Sequence, residues 1–363
     1  MLPLLLLARK QKQKVDQKLW EKARNSMTVA INTVDTKRSK LEPLFNENES
    51  AMMQVIKGEK GERFIEDFRN QLVGLRNATV SQNLTRTLMF QKKALLSLAD
   101  VGGFLVKEFP YDVPTEGRYS YLPRLMGRAK VTFEMRRRKK ILGNITIIAD
   151  GFAAPITAGN FVDLSIRNFY TGLPVKLSRK KVGSGSDFEI GTIPVFGSFQ
   201  EGFYDPLTAK LRRIPLEIIR LESGKGIPKL SYAEGETGDI SRARWDFSDT
   251  PASISSDRNG KSLLSFDIPG LVALNHPDKN LNSGSSEFFS LQLESLPDSK
   301  RQLLDGDYAP FGYIVEGYDL FLSVLPGDII ENTYVDELGI ENLVKLRQSS
   351  FSEVVQGSGN TFE

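Results

Sequence analysis

Thiol and imidazole groups, which carry much of the nucleophilic and zinc chemistry of proteins, are nearly absent from this chain. The 363 residues include no cysteine and a single histidine, His276. Thiol catalysis and cysteine-based zinc sites are therefore excluded, and Ser–His catalysis could arise only at that one position. A metal at His276 would need partner ligands, and the chain offers no second histidine and no cysteine, so no metal or cofactor is predicted. We expect His276 to line a groove or to end a strand.

A run of five cations, Arg136–Lys140, lies where the sequence pattern predicts a hairpin turn. One interpretation of such a run is a nuclear-localisation or nucleic-acid patch. The chain as a whole is nearly neutral, with 48 Lys and Arg against 45 Asp and Glu and a net charge of +3. This balance favours a solvated turn, so nucleic acid is not predicted as a partner.

Length and composition predict two soluble globular domains. Hydrophobic residues make up 40% and charged residues 26% of the chain, which is typical of packed domains. The apolar start, residues 1–8, is much shorter than the roughly 20 residues that span a bilayer. It could be the remnant of a targeting sequence or a segment packed on the first helix, and no membrane-spanning segment is predicted.

Residues 11–109 have the periodicity of helices. Apolar residues recur there at three- and four-residue steps between lysines and arginines, as in amphipathic helices. Pro43 is expected to close the first helix, because proline interrupts the helical hydrogen bonds. We predict three or four helices that bury their apolar stripes against one another, forming a helical bundle over residues 1–109. The stripes comprise Val15, Leu19, Ala23, Met27, Ile31 and Val34, then Phe64, Phe68, Leu72 and Leu75, then Leu84, Leu88, Leu95 and Leu98.

The pattern changes at a predicted linker, residues 110–128, which is marked by prolines and glycines. From Ala129 onward, apolar residues alternate with polar ones, as in β-strands. We predict a second domain over residues 129–348 and a flexible tail over residues 349–363. Within that domain, residues 222–261 form a long polar insertion rich in glycine, serine and aspartate, to which no role is assigned.

Four ordered motifs in the second domain resemble cyclophilins, a family of peptidyl-prolyl cis-trans isomerases. The first, Gly143–Phe161, contains a strand, an acidic turn and a helix that Pro155 can start and Thr157 can cap. The resemblance implies an α + β fold: a closed antiparallel β-barrel capped by helices, preceded by the helical bundle. The other three motifs are Gly270–His276 with Ser283–Phe289, Leu304–Gly312, and Gly327–Ile330.

A narrower resemblance covers nearly the whole chain. In the large multidomain cyclophilins of the plant thylakoid lumen, a helical bundle precedes the isomerase-like domain. The resemblance therefore implies a location in the chloroplast thylakoid lumen and a role in protein folding or assembly, as a rotamase or a chaperone. The segments that carry it are Val101–Phe104, Phe109–Pro114, Gly127–Ala129 and Gly202–Ile218.

The family's chemistry requires a hydrogen-bond donor that this chain lacks at the matching position. Rotation about an X–Pro amide meets a barrier of roughly 18–20 kcal/mol. In cyclophilins an arginine donates to the nitrogen of the twisted amide, and an apolar pocket holds the prolyl ring. The resemblance places that arginine at Leu177, with Arg179 about 6–7 Å along the strand as a substitute. The family's pocket phenylalanine, methionine and glutamine fall on Lys181, Val182 and Ser184.

The other side of the groove keeps one aromatic anchor, Phe289. We expect Phe289 to lie near Leu177 and a retained Leu304, either as the floor of a proline pocket or as plain barrel core. The remaining positions have changed residue type. By the resemblance, the family's Ala–Asn pair, glutamine, tryptophan and histidine correspond in order to Asn275 and His276, Glu287, Leu303, and Tyr308.

Three functions are compatible with this altered groove and with the helical domain. The first is an active prolyl isomerase that uses Arg179. The second is a module that binds extended proline-containing segments without turning them over. The third is a structural subunit or assembly factor docked to a photosynthetic membrane complex through its helices. Losing a charge-assisted hydrogen bond of about 1.5–3 kcal/mol slows a reaction roughly ten- to several-hundredfold, so we predict weak or absent isomerase activity and favour the second.

Overall fold

The computed structural model separates the chain into two compact units, residues 1–107 and 108–363. Each unit is described by itself below. The structure describes residues 2–56, 58–105, 109, 111, 113, 119–181, 189–197, 202–206, 208–221, 228–232, 264, 266, 270–277, 280–291, 304 and 307–344. The predicted tail, residues 349–363, therefore lies outside the described residues.

Three helices form the first unit: α1 (Leu2–Val55), α2 (Glu59–Val80) and α3 (Leu84–Leu105). Their shared core includes an edge-to-face contact between Phe45 and Phe68, with ring centroids 5.0 Å apart. Each helix contributes apolar side chains to that core. The buried members are Phe45, Ile56, Ile65, Phe68, Leu72, Ala94 and Val101. The predicted stripes are buried only in part, because Met27 on α1 and Leu88, Leu95 and Leu98 on α3 are exposed.

The prediction that Pro43 ends the first helix is wrong, because α1 continues through it to Val55. A proline inside a helix removes one hydrogen bond and costs about 3 kcal/mol in isolation. Tertiary contacts on both sides of Pro43 offset this local preference. Glu42 forms ion pairs with Arg38 and with Arg76 of α2, and Phe45 packs into the core at 5% exposure.

The second unit is built from fourteen strands and three helices among its described residues. Its helices are α4 (Pro155–Ile166), α5 (Tyr318–Leu322) and α6 (Glu337–Asn342), and a 3-10 turn covers Leu281–Ser283. Its strands are β1 (Arg124–Leu125), β2 (Arg128–Arg137), β3 (Lys140–Asp150), β4 (Lys176–Lys181), β5 (Glu189–Phe196), β6 (Tyr204–Asp205), β7 (Lys210–Leu211), β8 (Glu217–Leu221), β9 (Pro228–Tyr232), β10 (Leu271–Leu274), β11 (Phe288–Ser290), β12 (Pro310–Glu316), β13 (Ile329–Val335) and β14 (Leu343–Val344).

Eight of these strands form one antiparallel sheet in the order β13-β2-β3-β12-β10-β11-β5-β4. The expected closed barrel is corrected to a curved sheet that does not close. Among the described residues, the two ends of the sheet meet only through the segment before β4, at the bridge between Pro174 and Ile329. A barrel needs its end strands to pair along their length, and β4 itself pairs only with β5.

Helix α4 packs its apolar face into the sheet. Phe161 lies 5.2 Å from Phe288 and 5.0 Å from Phe311, measured between ring centroids. The main core also includes Leu122 and Leu125, each 0% exposed, so the end of the predicted linker packs within the second unit. Part of the predicted polar insertion is also ordered, because β9 pairs with β8. The rest of that insertion lies outside the described residues.

The start of α4 is capped from another element. Pro155 occupies the first turn, as expected, but the cap residue Ala154 has no side-chain acceptor. The carboxylate of Glu217, on β8, instead accepts hydrogen bonds from the backbone N–H groups of Ile156 at 3.2 Å and Thr157 at 2.9 Å. The prediction that the Thr157 side chain caps the helix is therefore wrong.

Candidate functional site

The register of four neighbouring strands decides which side chains share a face of the sheet. Phe289 on β11 lies opposite Ala273 on β10 and opposite Val195 on β5. Phe288 lies opposite Phe196 instead. Residues directly opposite in an antiparallel pair point to the same face, and successive residues alternate. Phe288 therefore belongs to the main core under α4, and Phe289 belongs to the opposite face.

A second cluster of buried apolar side chains surrounds Phe289 on that face; we call it the outer cluster. It is separate from the main core. Three strands, β5, β10 and β11, contribute members, and so do the segments that flank β10, β11 and β12. Parts of the chain that are distant in sequence therefore meet around the ring of Phe289. The outer cluster comprises Ile193, Val195, Phe266, Leu271, Ala273, Phe289, Leu291, Leu304 and Tyr308.

Phe289 is enclosed by aromatic neighbours. Tyr308 meets it edge-to-face with ring centroids 5.0 Å apart, and Phe266 is nearly parallel to it at 6.3 Å. Phe289 and Leu304 are each 0% exposed, and Phe266 is 1% exposed. Phe289 therefore lies with Leu304 and Tyr308 in a closed cluster rather than at the floor of an open groove.

A polar rim borders the outer cluster at the end of β10. The backbone N–H of Asn275 donates to the carbonyl oxygen of Glu287 at 2.7 Å. The side-chain amide of Asn275 donates to the Glu287 carboxylate at 2.6 Å. These two bonds hold the end of β10 against the residue that precedes β11, so Asn275 and Glu287 act as one unit.

His276 is held by backbone groups and an aromatic ring. Its ring stacks on Tyr308 with centroids 4.6 Å apart. Its Nδ1 lies 2.9 Å from the carbonyl oxygen of Pro277, and its Nε2 lies 2.6 Å from the carbonyl oxygen of Asp307. Each ring nitrogen therefore lies against a backbone carbonyl oxygen. His276 thus fixes the segment that carries Tyr308.

Leu177 does not join the residues around Phe289. It lies opposite Pro194, which alternates with Ile193 and Val195 along β5 and so belongs to the other face. Leu177 is 50% exposed. The expectation that Leu177 and Phe289 line one groove is therefore not met. Leu177 pairs with Pro194 and Phe289 pairs with Val195, and these two neighbours on β5 point to opposite faces of the sheet. Arg179 lies two residues after Leu177 on β4, opposite Thr192, so its position in the strand belongs to the same face as that of Leu177.

Two other positions of β4 share the face of Phe289. Lys176 lies opposite Val195, which in turn lies opposite Phe289, so these three residues form one cross-strand row. Ser178 lies opposite Ile193 in the next row on that face. At these described positions the face carries a lysine and a serine, and no arginine.

Three residues next to Phe289 were missed by the sequence reasoning. Ile193 and Val195 lie in a continuous apolar run, residues 193–196, which is typical of a strand buried on both faces and could have located them. Phe266 follows the polar insertion, and no pattern marks it. Among the groove residues that the resemblance implies, Lys181 ends β4, where its backbone pairs with Glu189. Val182, Ser184 and Leu303 lie outside the described residues.

Two properties of the described residues bear on ligands and membranes. No group of three or more His, Asp or Glu side chains within them could hold a metal ion. None of the helices, over the stretches that the structure describes, is long and apolar enough to cross a bilayer.

Comparison with known proteins gives one family match and two curated relatives. Residues 131–326 match the family described as cyclophilin type peptidyl-prolyl cis-trans isomerase/CLD. A putative thylakoid lumen peptidyl-prolyl cis-trans isomerase of Synechocystis sp. is 33% identical over 290 residues, which are 78% of this chain and 66% of that protein. The chloroplastic peptidyl-prolyl cis-trans isomerase CYP38 of Arabidopsis thaliana is 35% identical over 259 residues, 70% of this chain and 52% of that protein.

The chain spans about two thirds and about half of the lengths of these two relatives. Among solved structures, a cyclophilin type isomerase of Cryptosporidium parvum, crystallised in the presence of the dipeptide Ala-Pro, matches with a TM-score of 0.29 and 17% identity. That match covers 57% of this chain and 99% of the other. Because the family match extends over more than half of its residues, the chain belongs to the cyclophilin-type peptidyl-prolyl cis-trans isomerase family.

Proposed function

We propose that this chain is a cyclophilin homologue of the thylakoid lumen whose second unit binds proline-containing segments and isomerises them weakly or not at all. The location rests on two relatives, one named as a thylakoid lumen protein and one as chloroplastic. A role in protein folding or assembly follows from the family and is part of the same proposal.

The observation that carries the proposal is the composition of the sheet face around Phe289. Ile193, Val195 and Ala273 give that face an apolar surface, which favours burial of a prolyl ring. On the neighbouring strand, the described positions of this face are Lys176 and Ser178. We propose this apolar cluster as the binding surface, with no guanidinium donor at these two positions.

The missing guanidinium explains why binding is proposed without efficient turnover. Isomerisation is accelerated only by contacts that are stronger in the twisted amide than in the planar one. A charge-assisted hydrogen bond to the amide nitrogen is such a contact, and its loss costs about 1.5–3 kcal/mol. The rate then falls roughly ten- to several-hundredfold. Lysine is a compact point charge without the planar fork of arginine, so Lys176 is a poor replacement.

Access to Phe289 requires a change in the outer cluster. Because Phe289 is 0% exposed, a prolyl ring reaches it only after neighbouring side chains, such as Phe266 or Tyr308, have moved aside. The apparent affinity is then the affinity of the open form multiplied by the fraction of molecules in which the outer cluster is open. We therefore expect weak binding in fast exchange.

The proposal is tested by titrating the chain with an X–Pro peptide while following its backbone amide signals by NMR. Saturable shifts are expected for the amides of Asn275, Glu287 and Phe289, with smaller shifts at the β2–β3 hairpin. The control peptide has alanine in place of proline and should cause little change. Equal shifts with both peptides, or no saturable shift at the polar rim, would refute the proposed binding.

A further inference from the structure

The tip of the β2–β3 hairpin concentrates positive charge that the proposed function does not use. Its five cations are consecutive, Arg136–Lys140. The first two are neutralised by carboxylates on or next to β13. Arg136 pairs with Glu331. Arg137 donates to both carboxylate oxygens of Asp328, at 2.7 Å and 2.8 Å.

The other three cations have no such carboxylate. Arg138, Lys139 and Lys140 are exposed, and they form no ion pair within the part of the chain that the structure describes. Together with Arg137 and Leu142, they line an open depression of about 480 Å³. The mutual repulsion of three adjacent cations is relieved when an anionic partner approaches.

Backbone strain at the tip supports a role for the charge. Arg138 has a φ of 55°, in the left-handed region. Glycine, asparagine and aspartate adopt this region more readily than arginine does. The Arg138 carbonyl accepts a hydrogen bond from the Arg136 guanidinium, which holds the turn in this conformation. A long cation therefore occupies a position that a smaller residue would fill with less strain.

Exposed aliphatic side chains border the same tip. Ile141, directly after the cations, is 46% exposed, and Leu325 is 52% exposed. The backbone N–H of Leu325 donates at 2.8 Å to the Asp328 carboxylate that also binds Arg137, so Leu325 lies beside the hairpin. Cations and exposed aliphatic groups thus share one end of the second unit.

We propose that this tip docks the protein on the surface of an anionic lipid bilayer. A bilayer interface supplies negative headgroups and, a few ångströms deeper, an apolar layer. The three cations match the headgroups, and Ile141 and Leu325 match the apolar layer. An acidic protein segment would satisfy the cations alone and would leave both aliphatic side chains in water, so the lipid surface is the better fit.

The test is co-sedimentation of the full chain with vesicles of phosphatidylcholine containing about 30 mol% phosphatidylglycerol, beside vesicles of phosphatidylcholine alone. The tip variant is Arg138→Asn, Lys139→Gln, Lys140→Gln, in which asparagine suits the left-handed turn. The control is Lys22→Gln, Lys37→Gln, Lys40→Gln, which removes the same charge from exposed positions of α1. Circular dichroism and thermal melting of both variants verify that they fold.

Each cation near an anionic surface strengthens binding about fivefold, so the tip variant should bind anionic vesicles about 100-fold more weakly. The control variant should bind nearly as well as wild type, and salt should weaken wild-type binding. Ile141→Ser with Leu325→Ser should weaken it several-fold even when all cations remain. Absent vesicle binding, or an equal loss in the control variant, would overturn the proposal. If the chain binds a decaglutamate peptide but not vesicles, the lipid-docking proposal is wrong and the partner is an acidic protein.

Discussion

At the residue scale, the burial of Phe289 has a direct consequence for stability. Phe289→Ala should lower the free energy of unfolding by about 3–5 kcal/mol, because its ring is 0% exposed within the outer cluster and its loss leaves a cavity. Denaturant unfolding measures the change. Leu177→Ala is the matched control: at 50% exposure it should change stability by less than about 0.5 kcal/mol. Similar losses for both variants would contradict the assignment of the two residues to different faces.

Phe266 gives a prediction in which stability and binding change in opposite directions. It lies parallel to Phe289 and closes the outer cluster, so Phe266→Ala should destabilise the second unit yet tighten the binding of an X–Pro peptide. The NMR titration described above measures this affinity. An unchanged or weaker affinity in the folded variant would mean that Phe266 belongs to the core behind the site and does not control access.

The sequence motifs located some site residues better than others, for a physical reason. Phe289, Leu304 and Tyr308 lie in motifs that are continuous in the sequence, and the structure brings these three together. Leu177 was placed by counting along a strand, where a register step of one reverses the face. Ile193 and Val195 were not predicted, because none of the motifs extends into β5, the strand that pairs with β11.

At the element scale, the cap of α4 depends on a residue about sixty positions away. Glu217→Ala should cost about 2 kcal/mol, because the buried N–H groups of Ile156 and Thr157 lose their acceptor. Glu217→Gln keeps one acceptor oxygen and should cost less. Thermal unfolding of the two variants measures this order. If the alanine variant is as stable as the glutamine variant, the cap contributes nothing.

The contact between the β2–β3 hairpin and the segment before β13 predicts a pH dependence. Hydrogen bonds from Arg137 hold the pKa of Asp328 below its usual value. A lowered folded-state pKa contributes stability above the unfolded-state value of about 3.9, and that stability is lost as the pH falls further. Wild type should therefore be more stable than Asp328→Asn at pH 7, and the difference should shrink below about pH 4.

The exposed Asp319, on α5, provides the control for this measurement. Asp319→Asn should differ little from wild type at either pH, because surface substitutions change stability by less than about 0.5 kcal/mol. Denaturant unfolding at pH 7 and at pH 3 makes the comparison. A difference between wild type and Asp328→Asn that stays constant across this range would contradict the role of the Arg137–Asp328 pair.

The elements themselves were predicted where the signal was local. The alternation of Val131, Phe133 and Met135 predicted a strand, and β2 includes all three. The end of α1 and the closure of the sheet were not predicted correctly, because both depend on contacts distant in sequence. Pro43 is accommodated by packing around Glu42 and Phe45. The sheet stays open because β4 pairs only with β5.

At the scale of the whole molecule, the two units should be separable. The core of residues 1–107 is made from its own three helices, so this fragment should melt cooperatively as a helical protein. Circular dichroism on heating measures the transition. A broad, non-cooperative melt would show that the helices need the rest of the chain.

The central claim is that the sheet offers no arginine donor beside Phe289, because the described positions of β4 on that face are Lys176 and Ser178. The most direct test is the cis-to-trans rate of an X–Pro peptide with the full chain and with two variants. Wild type and Leu177→Arg should both stay near the uncatalysed rate, because Leu177 lies on the other face. Lys176→Arg places a guanidinium in the row of Phe289 and should accelerate the reaction tenfold or more. Efficient catalysis by wild type that Arg179→Ala abolishes, or a gain in Leu177→Arg alone, would contradict the account.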